Sequence, residues 1–274
     1  MTKSVTGIAG TPSGPSRLQL LNRTVSRREL SQLLEDASLD QLLDLVSARY
    51  AVHFETLRIG EDVLECLQFS DMEAYIEQRL HRSSPGEGID ALPLWAKIWP
   101  ASFPLAIYMR GLRPASGERV LEIGAGLGVS GLFAAKRGFS VVLSDTVPEA
   151  LLFARINCLR NALGDEVRVQ QIDFTASDDP GRFDRIIGSE VLYREQYFKP
   201  LLHFFRTNLE PKPSAEILLS ADAGRRSIKF FAAAKDFFRI SRSAMTTPMA
   251  SAAVPEGEEQ DTGQTTYLYR LRPM

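Results

Sequence analysis

The segment Glu122-Ile123-Gly124-Ala125-Gly126-Leu127-Gly128 sets an acid two residues ahead of three glycines at alternate positions. Glycines so spaced let the main chain turn sharply and let a ligand lie against it without meeting a Cβ. Three more carboxylates follow, each shortly after an apolar run: Asp145 after Val141-Val142-Leu143, Asp173 after Val167-Arg168-Val169, and Glu190 after Arg185-Ile186-Ile187. Those runs read as strands. Ligands of open α/β sheets bind outside the carboxyl ends of the strands, so the four acids are expected to converge on one crevice.

Two kinds of cofactor compete for the turn. Gly126-x-Gly128-x-x-Gly131 satisfies the dinucleotide fingerprint, with Asp145 about twenty residues on, where an NAD enzyme holds its ribose. Glu122, however, is awkward beside a pyrophosphate and suits a ligand with a positive end and no phosphate. S-adenosylmethionine is such a ligand, carrying an ammonium, a sulfonium and an adenosine. On that reading Glu122, Gly124, Gly126 and Gly128 hold its cationic end, Asp145 accepts from both ribose hydroxyls, and Asp173 faces the adenine amino group beside the Phe174 ring.

Positioning such residues requires strands alternating with helices, and the chain has that pattern from about residue 90 onward. A strand at 120–123 is followed by a helix to Lys136 that stops at Gly138, a strand at 141–143 and a helix over 148–163. Strands at 167–169, 185–187 and 217–219 continue the series, with a helix over 197–209 among them. Alternation of this kind predicts a parallel sheet with right-handed crossovers. A helix at 229–236 and strands at 238–240 and 266–269, joined by a loop over 243–263, predict an antiparallel ending. Upstream, Ser26-Arg27-Arg28-Glu29 and Ser38-Leu39-Asp40-Gln41 have capping-box spacing, and 54–69 reads as a hairpin around Gly60. Ser70-Asp71-Met72-Glu73 then starts a helix that runs to about Arg82. The expected organisation is a flexible lead-in over 1–24, accessory helices and a hairpin over 25–85, and a main domain over 86–274.

Composition narrows the partners. The 274 residues are 44% hydrophobic and 24% charged, as in a soluble globular protein, and no run reaches the ~18 apolar residues a membrane span needs. Residues 1–28 hold five of the 32 basic side chains and no acid, so the remainder carries 27 basic against 34 acidic groups. A body that acidic is not built to neutralise a phosphate backbone, which argues against nucleic acid. Cys66 and Cys158 are too few for a disulfide framework, and His53, His81 and His203 lack metal-ligand spacing. No metal is expected. A reducing, cytoplasmic location is the default, with a mitochondrial one left open by the acid-free start.

Val120 to Gly131, with Asp145, Asp173 and Glu190, resembles the motifs of the seven-strand, class I S-adenosylmethionine-dependent methyltransferases. More narrowly, Pro93-Leu94-Trp95-Ala96-Lys97-Ile98-Trp99-Pro100, Glu190-Val191-Leu192-Tyr193 and Asp222-Ala223-Gly224-Arg225 resemble one protein-lysine methyltransferase branch. That branch includes the electron-transfer flavoprotein β-subunit lysine methyltransferase. The likeness runs over roughly residues 90–242. It implies a Rossmann-like α/β fold: a seven-stranded, mostly parallel sheet with an antiparallel C-terminal strand, helices on both faces and a small N-terminal α+β extension.

The resemblance also implies the cofactor S-adenosylmethionine and a lysine-bearing protein as acceptor. Its acid-x-x-Tyr motif, which usually begins with Asp, falls on Glu190 and Tyr193 and makes them the catalytic pair; Arg225 and Arg226 would belong to a functional loop. A lysine ammonium, with a pKa of ~10.4, must lose its proton before it can attack. Glu190 would attract and orient the amine, while Tyr193 and Trp99 desolvate it and Trp99 contacts the sulfonium. Ser189 to Tyr193 lacks the prolines of nucleic-acid amine methyltransferases. Three other readings stay open: a small-molecule N- or O-methyltransferase, a non-catalytic S-adenosylmethionine-binding regulator or scaffold, and an NAD-dependent oxidoreductase.

Overall fold

The structure is a computed structural model that describes residues 18–21, 23–82, 92–176, 178–224, 227–247 and 264–274. Residues 1–17 of the expected lead-in, the Ser83-Ser84-Pro85-Gly86 boundary, Arg225, Arg226 and the part of the expected loop over 248–263 lie outside the described residues.

The last part of the stretch expected as lead-in forms a short antiparallel pair, β1 (Leu18–Leu20) and β2 (Arg23–Val25), with Leu20 and Leu21 buried. Helices α1 (Arg27–Asp36) and α2 (Leu39–Ser47) begin where the cap spacing predicts. Ser26 and Ser38 each accept from the third helical N–H, while Glu29 and Gln41 reach back to the cap, satisfying donors that would otherwise be orphaned. Strands β3 (Val52–Ile59) and β4 (Asp62–Phe69) make the expected hairpin. Helix α3 (Met72–Arg82) starts at Asp71, whose Oδ1 accepts the Ala74 N–H at 2.9 Å.

Helix α4 (Ser102–Arg110) has no counterpart in the sequence expectations. It has no side-chain cap and buries Pro104, Leu105, Ala106 and Met109, so neither a start signal nor a clear amphipathic stripe marks it. The alternating series follows: β5 (Arg119–Ile123), α5 (Val129–Lys136), β6 (Ser140–Asp145), α6 (Pro148–Arg160), β7 (Val167–Gln171), β8 (Arg185–Ser189), α7 (Phe198–Asn208), β9 (Glu216–Asp222), α8 (Ile228–Ala234), β10 (Phe238–Thr247) and β11 (Gln264–Pro273). The seven-stranded sheet has the order β10-β11-β9-β8-β5-β6-β7, with β11 antiparallel to both of its neighbours and the pairs from β9 to β7 parallel. Strand β10 runs to Thr247, past the expected loop start at Ser243. Its Ser/Thr-rich, exposed end lacks the apolar alternation that marks a half-buried strand, and pairing with β11 supplies its order.

The chain runs outward through β5, β6 and β7, then returns to the other side of β5 for β8 and β9. Connections therefore leave β5 and β8 in opposite directions, and a crevice opens at their carboxyl ends. Side chains alternate across β5: Val120 joins the core beneath α5 and α6, and Leu121 and Ile123 join the core with α7 and α8. Glu122 shares the face of Val120, which places its carboxyl group under the start of α5. Among the described residues no helix is long and apolar enough to cross a membrane.

Candidate active site

The chain leaves β5 through Gly124, Gly126 and Gly128 at φ +56°, +53° and +79°, in the left-handed region that favours glycine. Packing adds a second demand. A Cβ on Gly126 would stand 2.8 Å from the Trp95 carbonyl oxygen, and one on Gly128 would stand 2.6 Å from Leu143 Cδ1. Gly131, which completes the dinucleotide fingerprint, is required where α5 presses on Leu143 and on the Glu122 carboxyl group. Helix packing thus accounts for that glycine without a dinucleotide.

A cavity of about 650 Å³ opens at the switch point. Trp99, Glu122, Gly124, Gly126, Asp145, Asp173, Phe174, Glu190 and Tyr193 all line it, whereas Gly128 does not and serves instead as the N-cap of α5. Each acid is held by the main chain. Glu122 Oε2 accepts the Gly131 N–H at 2.7 Å in the first turn of α5. Burial pushes the Glu122 pKa up to about 8, against the lowering effect of hydrogen bonds from Gly131 and Ser130 and with help from the nearby Asp145 charge. Asp145 accepts the Gly126 N–H on Oδ2 and the Val147 N–H on Oδ1, both at 3.0 Å. Burial raises its pKa as well, and those backbone donors oppose the rise.

Asp173 Oδ1 accepts the Thr175 N–H at 2.8 Å and the Thr175 hydroxyl at 2.6 Å, while the Asp173 N–H donates to Asp178 Oδ2 at 3.0 Å. Glu190 sits at φ +56°, a region a non-glycine residue occupies at a cost of roughly 1–3 kcal/mol. Its N–H donates to the Ser220 carbonyl at 2.8 Å and its Oε1 accepts the Asp222 N–H at 2.6 Å, tying the end of β8 to the end of β9.

The rings divide into two sets. Tyr193, 44% exposed, packs edge-on against Tyr197 at 5.8 Å, and Tyr197 packs edge-on against Phe174 at 6.0 Å. Trp99 Nε1–H donates to the Leu94 carbonyl at 2.8 Å, and Lys97 Nζ lies 5.5 Å from its ring centre. The Trp95 ring packs instead among Phe69, Tyr75 and Phe153. Tyr197 and Arg194, which also line the cavity, escape the sequence reading. The signal for Tyr197 is its four-residue spacing from Tyr193, obscured because the segment reads as an ordinary helix start.

Carboxylates, ring faces and a glycine turn suit a ligand rich in hydroxyl and amino donors with a cationic end. A pyrophosphate at this turn would compete with Asp145 for the Gly126 N–H. Fold and site together are those of an α/β protein with a cavity at the switch point of its sheet whose lining suits a nucleoside-bearing ligand. The chain belongs to the lysine methyltransferase family, whose profile matches residues 93–238. It is a methyltransferase, and S-adenosylmethionine is its cofactor.

Among its relatives, the histone-arginine methyltransferase METTL23 of Xenopus laevis is 34% identical over 168 residues, or 58% of this chain and 68% of that protein. The protein N-lysine methyltransferase METTL21A of Danio rerio is 32% identical over 129 residues, covering 44% and 59%. The EEF1A lysine methyltransferase 3 of Mus musculus is 31% identical over 115 residues, covering 40% and 49%. The last two are thus matched over less than two thirds of their length. A solved S-adenosylmethionine-dependent methyltransferase from Agrobacterium tumefaciens, 17% identical, shares the fold with a TM-score of 0.53 over 81% of this chain and 70% of that one.

Proposed function

We propose that the protein methylates the side-chain nitrogen of a lysine in a protein substrate. Glu190 and Tyr193 form the acceptor side, and Trp99, Glu122, Gly124, Gly126, Asp145, Asp173 and Phe174 the cofactor side, with Gly128 shaping the turn from behind as the cap of α5. The observation that carries this reading is Glu190: its main chain is held at φ +56° and its carboxyl group is fixed by Asp222, on the cavity that Asp145 and Asp173 also line. S-adenosylmethionine supplies an electrophilic methyl group on a sulfonium. The protein's task is to align a neutral amine opposite that leaving sulfur.

Glu190 attracts the lysine ammonium and orients it. The rings of Tyr193, Tyr197 and Trp99 wall the amine from water, which favours its neutral form, and the proton leaves to solvent. Glu190 acts by position, with its carboxyl group held by the Asp222 N–H beside the cavity. Residues 25–85 act as an accessory unit on the 86–274 catalytic domain. The buried free thiols of Cys66 and Cys158 fit work in the cytoplasm.

A second reading, an arginine acceptor, is favoured by the Xenopus laevis relative, whose name assigns it histone arginine. One experiment separates the two: the purified chain is incubated with methyl-labelled cofactor and a cell lysate, and digested proteins are analysed by mass spectrometry. Label on lysine supports the proposal, and label on arginine supports the second reading. Label confined to small molecules or nucleic acid overturns both.

A further inference from the structure

The N-terminal region, residues 18–82, reaches the cavity through two chains of polar contacts. Asn157, fully buried in α6, is the hub of the first. Its Oδ1 accepts the Leu67 N–H of β4 at 2.6 Å, and its Nδ2 donates to the Leu127 carbonyl of the glycine turn at 3.0 Å. One carboxamide therefore pairs the edge of the accessory hairpin with backbone that lines the cavity. The second chain starts at Arg27, the first residue of α1, whose Nη1 lies 3.1 Å from both Asp178 oxygens. Asp178 Oδ2 in turn accepts the Asp173 N–H at 3.0 Å. A packing contact runs beside them: the Trp95 ring sits among Phe69 and Tyr75 of the accessory region, and its carbonyl overhangs Gly126.

We infer, on the assignment of this cavity to S-adenosylmethionine, that contacts with the N-terminal region position the cofactor cradle from both sides, with Arg27 of that region and Asn157 of α6 as the positioning residues. Neither touches the cofactor. Each fixes a peptide group that otherwise has to be ordered when the cofactor binds, and a cradle ordered in advance binds more tightly. Their loss therefore weakens cofactor affinity more than it weakens the fold.

Asn161, one turn further along α6, provides the internal control. Its Oδ1 accepts the Glu65 N–H at 2.9 Å, and its Nδ2 donates to the Glu65 carbonyl at 2.8 Å and to the Asn157 main-chain carbonyl at 2.7 Å, joining the same strand to the same helix without a bond of its own to the glycine turn. In the full chain, binding of S-adenosylhomocysteine is measured by calorimetry, below the melting temperature of every variant. Asn157→Asp sets a carboxylate oxygen against the Leu127 carbonyl and is expected to weaken binding about tenfold or more. Asn161→Asp is expected to lower the melting temperature similarly while leaving Kd within about twofold of wild type. Arg27→Ala is expected to weaken binding several-fold, with Arg27→Lys restoring most of the loss.

Equal weakening by Asn157→Asp and Asn161→Asp would overturn the inference, because general destabilisation would then explain both. If Asn157→Asp does not fold, the Arg27 pair decides: wild-type affinity in Arg27→Ala overturns the inference. Asp145→Ala separates the two levels of the argument. Retained binding in that variant removes the cavity assignment and the inference with it, whereas lost binding beside unaffected Asn157→Asp and Arg27→Ala removes the inference alone.

Discussion

Replacing Glu122 with glutamine should change how the fold responds to pH. The Glu122 carboxyl group titrates near 4.5 when unfolded and at about 8 when buried beneath α5. Between those values the folded chain keeps a proton that the unfolded chain has lost. The stability this group contributes is therefore complete below the unfolded pKa and is lost as pH rises towards the folded one, at up to about 1.4 kcal/mol per pH unit. From pH 5.5 to 7.5 the loss comes to about 2–3 kcal/mol. Glutamine keeps an acceptor for the Gly131 N–H and carries no charge, so Glu122→Gln should match wild type near pH 5 and be the more stable protein at pH 7.5. Urea unfolding at pH 5.5, 6.5 and 7.5 without cofactor measures both curves. Any slope left in the variant belongs to other groups, Asp145 among them, since burial raises its pKa too. Parallel curves for the two proteins would refute the reasoning, because Glu122 would then ionise at no cost.

Three further outcomes are expected. Glu190→Ala should reduce turnover by at least about tenfold while S-adenosylhomocysteine affinity stays within a few-fold; an equal loss of both would move Glu190 to the cofactor side. Gly126→Ala puts a methyl group 2.8 Å from the Trp95 carbonyl at φ +53° and should cost about 1–3 kcal/mol of stability together with cofactor affinity, checked by thermal melts with and without S-adenosylhomocysteine. Fully buried Glu216 faces the guanidinium groups of Arg185, Arg270 and Arg272, so Glu216→Ala removes the carboxylate they share, while Arg185 keeps its pairing with Glu118. Arg270 and Arg272 partly reach solvent, which puts the cost at the lower end of the ~3–5 kcal/mol range for a broken buried pair, read as a fall in melting temperature.

Elements with local signals are legible in the sequence. The capping boxes at Ser26 and Ser38 lie within four residues of chain, and both helices start where that spacing puts them. The glycine turn is legible for the same reason, since an apolar strand, alternating glycines and a helix follow within fifteen residues or so. Elements whose order comes from contacts are not. Helix α4 is buried without a cap, the β1–β2 pair rests on Leu20 and Leu21 meeting the core, and the outer half of β10 is a strand because β11 pairs with it. At the site, Asn157 is a polar residue inside an otherwise apolar helix stretch, and nothing nearby in sequence tells that its partners are Leu67 and Leu127, 90 and 30 residues away.

By itself the sequence determined the alternating α/β pattern, the turn after the first parallel strand and the four acids at strand ends. These depend on periodicity, φ preferences and hydrogen bonds between near neighbours. Tertiary structure decided which of those groups meet and what each can do. It packs the Trp95 ring against the accessory core, makes Gly128 a helix cap, brings Tyr197 beside Tyr193 and Phe174, and buries Glu122 until its proton stays on near neutral pH. The packing of Trp95 and the burial of Glu122 depend on closing loops of tens of residues and on removing a particular group from water, and neither is written in the local neighbours.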